Sequence, residues 1–249
     1  MSSIICKNCD HHFKGNFCPH CGQSAKVEAI GVKYFLHDIP HSILHIDKGF
    51  FYTLGKLISS PGPSLKSYLE GKRVKHFRPF AFVLIMSTVS TLLIKLCDSL
   101  INLKLHKINP EKTYAFDISF FSKYPSLLIF ILIPLLSLIT WVTFIKRKYN
   151  YWEHFLINTY LAAYLNVFFL VINIFSVIKF YVTGSGHVNY TFFMFFFMAY
   201  YAHAFGGLLT EKGKFMQTFP RLFIMNFFLA TLYMTALSLA GIMTPWWGN

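Results

Sequence analysis

Four cysteines near the N-terminus have the spacing of a metal site. Cys6, Cys9, Cys18 and Cys21 form the pattern C-x2-C-x8-C-x2-C. Four thiolates complete the tetrahedral shell that Zn²⁺ prefers and leave no open position for a reacting molecule. The pattern therefore predicts a structural zinc ribbon over residues 1–26, with zinc as the cofactor. A redox-active dithiol is the competing interpretation, but it explains one C-x-x-C pair and not two.

Histidines offer a second group of metal-ligating side chains. His37, His41 and His45 recur at positions i, i+4 and i+8, which would share one face of a helix. Pro40 interrupts that pattern, so histidines at headgroup depth are the simpler interpretation. Three more histidines lie within the ribbon, but the cysteines already complete its shell; they are His11, His12 and His20.

Signatures of catalysis are missing from the sequence. It contains no H-E-x-x-H, no G-x-S-x-G, no Walker loop and no Rossmann fingerprint. Glu153 and His154 are the nearest approach to an acid–base pair, yet neighbours on a helix point about 100° apart. We therefore expect a non-enzymatic protein and interpret this pair as interfacial anchoring.

The composition is that of a membrane protein. Hydrophobic residues make up 55% of the chain, its mean hydropathy is +0.48 and only 13% of its residues are charged, whereas soluble domains carry about 25%. The apolar residues fall into runs long enough for the roughly 20 residues that cross a bilayer. We predict an all-α integral membrane protein whose transmembrane domain, 79–249, has about five spans: 79–97, 125–145, 154–180, 188–209 and 219–243.

The distribution of positive charge predicts the orientation of these spans. The chain has 23 Lys and Arg residues against 10 Asp and Glu, a net charge of +13. Seventeen of the cations fall on the side of the N-terminus and six on the other side. Because cytoplasmic loops are the positive ones, we predict a multi-pass inner-membrane protein with a cytoplasmic N-terminus and a periplasmic C-terminus. Paired C-x-x-C motifs also suit the reducing cytosol.

Residues 27–78, between the ribbon and the first span, read as an amphipathic interfacial region. An apolar stretch over 50–58 is followed by the turn signal Pro61-Gly62-Pro63. A short helix then runs from Ser64, its predicted N-cap, to Glu70, and Gly71 ends it. The basic cluster that follows predicts binding to lipid headgroups; its residues are Lys72, Arg73, Lys75 and Arg78.

Polar residues within the spans predict a polar bundle interior. Asn158, Asn166 and Asn173 lie within about 80° of one another on the third span, and His203 adds a polar group from the fourth. Hydrogen bonds between helices are the simpler interpretation of this stripe. A lining for a ligand or conduit is the alternative.

Several short motifs together resemble a known family. They are Cys6-Lys7-Asn8-Cys9, the run 15–23, Pro61-Gly62, Tyr68-Leu69-Glu70-Gly71-Lys72-Arg73, Arg78-Pro79 and Trp152-Glu153-His154-Phe155. With these motifs the chain resembles a bacterial family of zinc-ribbon-headed multi-pass membrane proteins, domain of unknown function 3667. The resemblance implies this architecture and no activity.

These observations support three hypotheses about function. The first is a non-enzymatic inner-membrane accessory or scaffold subunit of a membrane protein assembly, with the ribbon as docking head. The second is a transporter, channel or lipid-handling protein for an anionic lipid or small solute, and the third is a membrane enzyme acting on lipid headgroups. We expect membrane lipids and a membrane-protein partner or second copy as partners. Nucleic acid is not expected, because basic residues around the ribbon are sparse.

Overall fold

The computed structural model of the 249-residue chain describes residues 3–36, 49–108, 125–145, 148–184, 190–209 and 215–239. Two short strands come first: β1 (Ile4–Ile5) pairs antiparallel with β2 (His12–Phe13). Cys6, Phe13 and Cys18 form a small buried cluster, and Cys9 and Cys21 pack against it. Every regular element after them in the described residues is helical, which confirms the helical character predicted for the rest of the chain.

From Gly49 onward, the described part of the chain contains seven helices. They are α1 (Gly49–Ser59), α2 (Pro61–Leu69), α3 (Pro79–Ile108), α4 (Pro125–Thr143), α5 (Tyr151–Thr183), α6 (Tyr190–Leu209) and α7 (Phe215–Leu239). Helices α3 to α7 each overlap one of the five predicted spans in sequence. Two of them, over Pro79–Lys104 and Tyr151–Thr183, are long and apolar enough to cross a membrane. The other three contain shorter apolar stretches, Phe130–Thr143, Phe195–Leu209 and Thr218–Leu232.

Helix α2 begins earlier than predicted. The predicted turn Pro61-Gly62-Pro63 is instead its first helical turn, and Ser60, not Ser64, precedes it. Proline suits this position because its fixed φ matches a helix and the first turn needs no N–H donor. The predicted end is confirmed at Gly71, which takes a left-handed φ of +101°.

A capping box starts α5. The side chain of Asn150 accepts a 2.9 Å hydrogen bond from the Glu153 backbone N–H, and the Glu153 carboxylate accepts a 2.7 Å bond from the Asn150 N–H. Glu153 therefore has a structural role as a cap. With 33 residues, α5 is about 50 Å long, and a hydrocarbon core is only about 30 Å thick.

Two contacts hold pairs of helices together, α5 with α3 and α2 with α6. Asn166 of α5 donates 3.1 Å to the Ser87 hydroxyl, and its carbonyl accepts 2.9 Å from Ser90, which joins α5 to α3. Gly62 of α2 lies directly against Gly207 of α6, where a Cβ on Gly62 would come within 2.5 Å of the Gly207 carbonyl carbon. Glycine at both positions lets these backbones touch.

Candidate metal centre and its attachment to the helices

The four N-terminal cysteines form one compact group. Their sulfur atoms all lie within 4.8 Å of one another, with 3.5 Å between Cys6 and Cys21 and 3.6 Å between Cys9 and Cys18. Ligands of a tetrahedral Zn²⁺ with bonds of about 2.3 Å would stand about 3.8 Å apart. The group can therefore hold a metal ion such as zinc.

Both C-x-x-C knuckles have the same backbone structure. In each, the first cysteine N–H donates to the carbonyl five residues on, and the N–H four residues on donates back to the cysteine carbonyl. These bonds, of 2.8 to 3.0 Å, are Cys6 to His11 and Asp10 to Cys6, then Cys18 to Gln23 and Gly22 to Cys18. Asp10 and Gly22, at equivalent positions, have φ of +57° and +78°. The ribbon is thus two copies of one turn that aim four sulfurs at a common point.

The electrostatics of the group favour a bound cation. Burial disfavours the Cys6 thiolate, but hydrogen bonds from the N–H groups of Asn8 and Cys9 and from the thiol of Cys21 lower its pKa to about 7. A backbone bond from His11 lowers the pKa of Cys9, yet burial and the neighbouring sulfurs raise it overall to about 12. The first thiolate forms readily, and its negative charge disfavours ionisation of the next cysteine. A bound metal ion offsets this repulsion.

The ribbon is attached to the segment between α2 and α3. Gln23, whose side chain is buried, donates 2.5 Å to the Gly71 carbonyl and accepts 3.4 Å from the Arg73 N–H. A Cβ on Gly71 would lie 3.0 Å from Lys7 and 3.2 Å from Val27. Lys7 of the first knuckle and Gln23, which follows the second, therefore both contact the turn at Gly71. We call the contact of Gln23 with Gly71 and Arg73 the clasp.

The Arg73 side chain also belongs to this attachment. Its guanidinium lies 5.0 Å and 5.2 Å from the ring centroids of Tyr34 and Tyr68, and its Nε donates 3.3 Å to the Tyr68 carbonyl. The two tyrosine hydroxyls are 2.7 Å apart. Among the predicted headgroup-binding residues, Arg73 is therefore packed against the protein. The other three are exposed: Lys72, Lys75 and Arg78.

His76 ties the same segment to α2. Its Nδ1 lies 3.0 Å from the Lys72 carbonyl and its Nε2 lies 3.1 Å from the Ser64 hydroxyl. A carbonyl only accepts, so Nδ1 carries the hydrogen and Nε2 accepts from Ser64. Burial lowers the pKa of His76; the Lys72 hydrogen bond opposes this, and the charge of Lys56 adds to it. A neutral histidine thus holds the segment.

Asn158 is the centre of a buried polar cluster. It is 0% exposed, donates 2.9 Å to the Thr140 hydroxyl of α4 and accepts 3.2 Å from the Tyr201 hydroxyl of α6. Asn158 therefore connects three helices. Such bonds between helices are the simpler of the two predicted roles.

His154 completes this cluster and carries an unpaired atom. Its Nδ1 lies 3.1 Å from Thr140 Oγ1, which donates 3.1 Å to the Ser137 carbonyl. Since a hydroxyl has one hydrogen, Nδ1 is the donor and Nε2 is a bare acceptor. His154 is 0% exposed, and within the described residues Nε2 has no hydrogen-bond partner. Sequence reasoning missed this role because it placed His154 at the interface.

Two residues of the predicted polar interior lie elsewhere. Asn173 is half-buried and donates 2.8 Å to the Phe169 carbonyl of its own helix. His203 is on the exposed side of α6, because two positions from buried Tyr201 amount to a rotation of about 200°. The buried polar cluster therefore does not include His203.

The predicted histidine sites do not extend the metal centre. His37, His41 and His45 lie outside the described residues. The ribbon histidines are exposed, and two of them stack with centroids 5.7 Å apart, His11 and His20. Among the described residues, only the cysteines form a group of three or more metal-ligating side chains. Cys97 is buried and apart from that group.

Replacing Gln23 by alanine is expected to open the clasp without emptying the metal site. The change removes two hydrogen bonds and leaves the Gly71 carbonyl unpaired, which costs about 1–3 kcal/mol. Hydrogen exchange at residues 71–73 should rise while the bound metal stays at the wild-type level. Asn16→Ala is the matched control, since its exposed side chain has no part in the clasp. Equal exchange in both variants would contradict this role of Gln23.

Replacing Asn158 by alanine is expected to lower the stability of the helix bundle by about 1–3 kcal/mol, because partners on two other helices lose their hydrogen bonds. Asn173→Ala is the matched control, since that side chain bonds only its own helix in the contacts described above. Thermal unfolding in detergent measures both. A larger loss for Asn173→Ala would show that the cluster does not hold the helices together.

Comparison with known proteins bears on one part of the chain. Residues 47–91 match a family described as "Protein of unknown function (DUF3667)". The match confirms the resemblance to this family over α1, α2, the basic cluster and the start of α3. No curated protein and no solved structure matches the chain.

Proposed function

We propose that this chain is a multi-pass inner-membrane protein that serves as a non-enzymatic accessory or scaffold subunit of a membrane protein assembly. Its ribbon binds zinc on the cytoplasmic side and acts as the docking head, and its C-terminus is periplasmic. One observation carries the proposal: the clasp joins a closed four-cysteine centre to the segment that leads directly into α3. A docking head held this way has a fixed position relative to the membrane helices.

The apolar exterior of the helices supports the membrane location. In the 18-residue apolar stretch of each long helix, α3 and α5, only 33% is buried inside the protein. Large exposed side chains recur along α3, including Leu92 at 63% and Leu103 at 59%. In water such a surface would be costly, while lipid chains cover it without loss. The three shorter apolar helices would complete a five-span domain.

The ribbon surface supports a docking role. The clasp occupies the Gln23 side, but Phe17, between the two knuckles, remains 67% exposed. Aromatic side chains are frequent anchors of protein interfaces. We propose that Phe17 contacts a membrane-protein partner or a second copy of this chain.

Affinity purification from native membranes tests the docking role. We expect a protein at fixed stoichiometry with the wild-type chain and its loss in Phe17→Ser, with bound metal unchanged. Lys14→Ser is the control, because it changes another exposed residue of the same loop. A partner retained in Phe17→Ser would exclude this contact, and a chain that purifies alone with its metal would overturn the scaffold proposal.

A fusion of alkaline phosphatase after Asn249 tests the orientation. The enzyme is active only in the periplasm, so the proposed topology predicts high activity. A fusion after Lys148, which follows α4, should be inactive because that loop would be cytoplasmic. The opposite pair of results would contradict the five-span orientation.

The unpaired Nε2 of His154 favours a second candidate, the handling of an anionic lipid or small solute. A bare acceptor in a closed site is suited to bind a hydrogen-bond donor of such a molecule, such as a hydroxyl, and not its anionic group. Flux or lipid transfer in reconstituted liposomes that is lost in His154→Ala would support this function. Absence of both flux and lipid transfer would exclude this second candidate and leave the scaffold proposal as the remaining one.

A further inference from the structure

Helix α1 has one apolar face that packs on the protein and another that points away from it. Thr53 and Leu57 are buried, at 1% exposure each. On the opposite side, Phe51, Gly55 and Ile58 lie within about 60° of one another at 100° per residue. Phe51 is 80% exposed and Ile58 is 55% exposed. We call Phe51, Gly55 and Ile58 the outer face of α1.

Contacts with the segment just before α3 fix the position of this outer face relative to the beginning of α3. The Phe77 N–H donates 2.7 Å to the Thr53 hydroxyl. At the other end of the buried face, a Cβ on Gly49 would lie 2.9 Å from the Lys75 carbonyl. Phe77 is two residues before Pro79, where a helix long and apolar enough to cross a membrane begins. The outer face is therefore level with the entry of α3 into a bilayer.

The charges around the outer face are positive. Lys56, which follows Gly55 in the sequence, is exposed, and α1 contains no acidic residue. From Gly49 to Pro79 the only acid is Glu70. Three exposed cations lie in the segment that contacts α1 or adjoins it: Lys72, Lys75 and Arg78. Anionic headgroups complement this set of charges, and each cation near such a surface contributes about 1 kcal/mol.

We propose that the outer face of α1 inserts into the cytoplasmic leaflet at the level of the acyl boundary, where Lys56 and Lys75 bind the phosphates of anionic lipids. Phe51 and Ile58 supply the apolar area that an interfacial helix buries. The occupant of the face is the lipid surface, not a protein. This inference rests on the proposed membrane location and goes further by assigning a lipid-binding surface outside the spans.

Photo-crosslinking in native membranes tests the insertion. p-Benzoylphenylalanine would replace Phe51, Leu92 or Phe17 in the full chain, one position at a time. All three side chains are more than 60% exposed, so the substitutions should not disturb the fold. Leu92 on α3 reports the membrane location itself, and Phe17 on the ribbon reports a surface outside the membrane. We expect lipid adducts at position 51 at a yield near that at 92 and several-fold above that at 17.

The outcomes separate the inference from the proposed function. Lipid adducts at 92 but not at 51 would overturn the insertion of α1 and keep the membrane location. Absence of lipid adducts at 92 would overturn the membrane location, and the inference with it. A protein adduct at 51 would show that a partner chain covers the outer face.

Lipid selectivity tests the cations. In nanodiscs of mixed phosphatidylglycerol and phosphatidylcholine, adducts at position 51 should be enriched in phosphatidylglycerol. Lys56→Gln/Lys75→Gln should reduce this enrichment several-fold, while Lys14→Gln/Lys26→Gln, which changes two exposed cations of the ribbon, should not. Equal enrichment in both double variants would contradict the role of Lys56 and Lys75.

Discussion

Replacing Cys18 and Cys21 by serine is expected to abolish metal binding and release the ribbon. Two of four thiolates disappear, and a structural zinc site contributes about 10–16 kcal/mol to the folding of such a small unit. Gln23 depends on the second knuckle, since its carbonyl accepts the Cys18 N–H at 2.8 Å. Loss of the knuckle therefore also opens the clasp. Metal analysis should fall from one ion per chain to none, and limited proteolysis should cut before residue 71.

Cys97→Ser is the control for this prediction. Cys97 is a fifth cysteine, buried on α3 and outside the metal group. Its replacement should leave both the metal content and the proteolysis pattern of the ribbon unchanged. A double ribbon variant that keeps its full metal content would contradict the assignment of the ligands.

Replacing Gly62 by alanine is expected to separate α2 from α6. The new methyl would lie 2.5 Å from the Gly207 carbonyl carbon and 2.7 Å from the Leu208 nitrogen. These atoms are backbone and cannot rotate away, so the helices must move apart. Overpacking of this kind costs about 1–3 kcal/mol, which thermal unfolding in detergent would detect as a lower midpoint.

Gly55→Ala provides the matched comparison. Gly55 also lies within a helix, but nothing comes within 4 Å of its would-be Cβ. Alanine is the better helix former by about 1 kcal/mol, so Gly55→Ala should keep or raise the midpoint. Equal midpoints for the two variants would show that α2 and α6 do not touch at Gly62.

Local patterns predict part of this structure. The spacing of Cys6, Cys9, Cys18 and Cys21 predicts the compact sulfur group, because two C-x-x-C turns leave few other arrangements. Long apolar runs predict the positions of α3 to α7, since their length and composition are properties of continuous sequence. The family resemblance is confirmed over residues 47–91. The zinc ion, the number of spans and the orientation stay predictions.

Contacts between distant residues were not predicted. Gln23 and Gly71 are 48 positions apart, and no periodicity along the chain relates them. Arg73 reads as a free cation next to other cations, because the approach of Tyr34 is visible only in the fold. Gly22-Gln23 and Gly71-Lys72-Arg73 do lie within the motifs that carry the family resemblance. That coincidence was the one signal that could have suggested the clasp.

Two predictions were wrong where one residue type suits two structural settings: the start of α2 and the placement of His203. Pro61 and Pro63 serve in turns and equally in the first turn of a helix, and the structure uses them in the helix. His203 has a polar side chain that suits either a bundle interior or an exposed face. Its neighbours on α6 decide the matter, since Tyr201 and Phe205 take the buried side.

The most direct test of the scaffold proposal is affinity purification of the chain from native membranes in mild detergent, followed by mass spectrometry and metal analysis. Wild type is compared with Cys18→Ser/Cys21→Ser. The proposal predicts one zinc per chain and a stoichiometric protein partner in the wild type, with both lost in the variant. Zinc bound to a wild-type chain that carries no partner would contradict it.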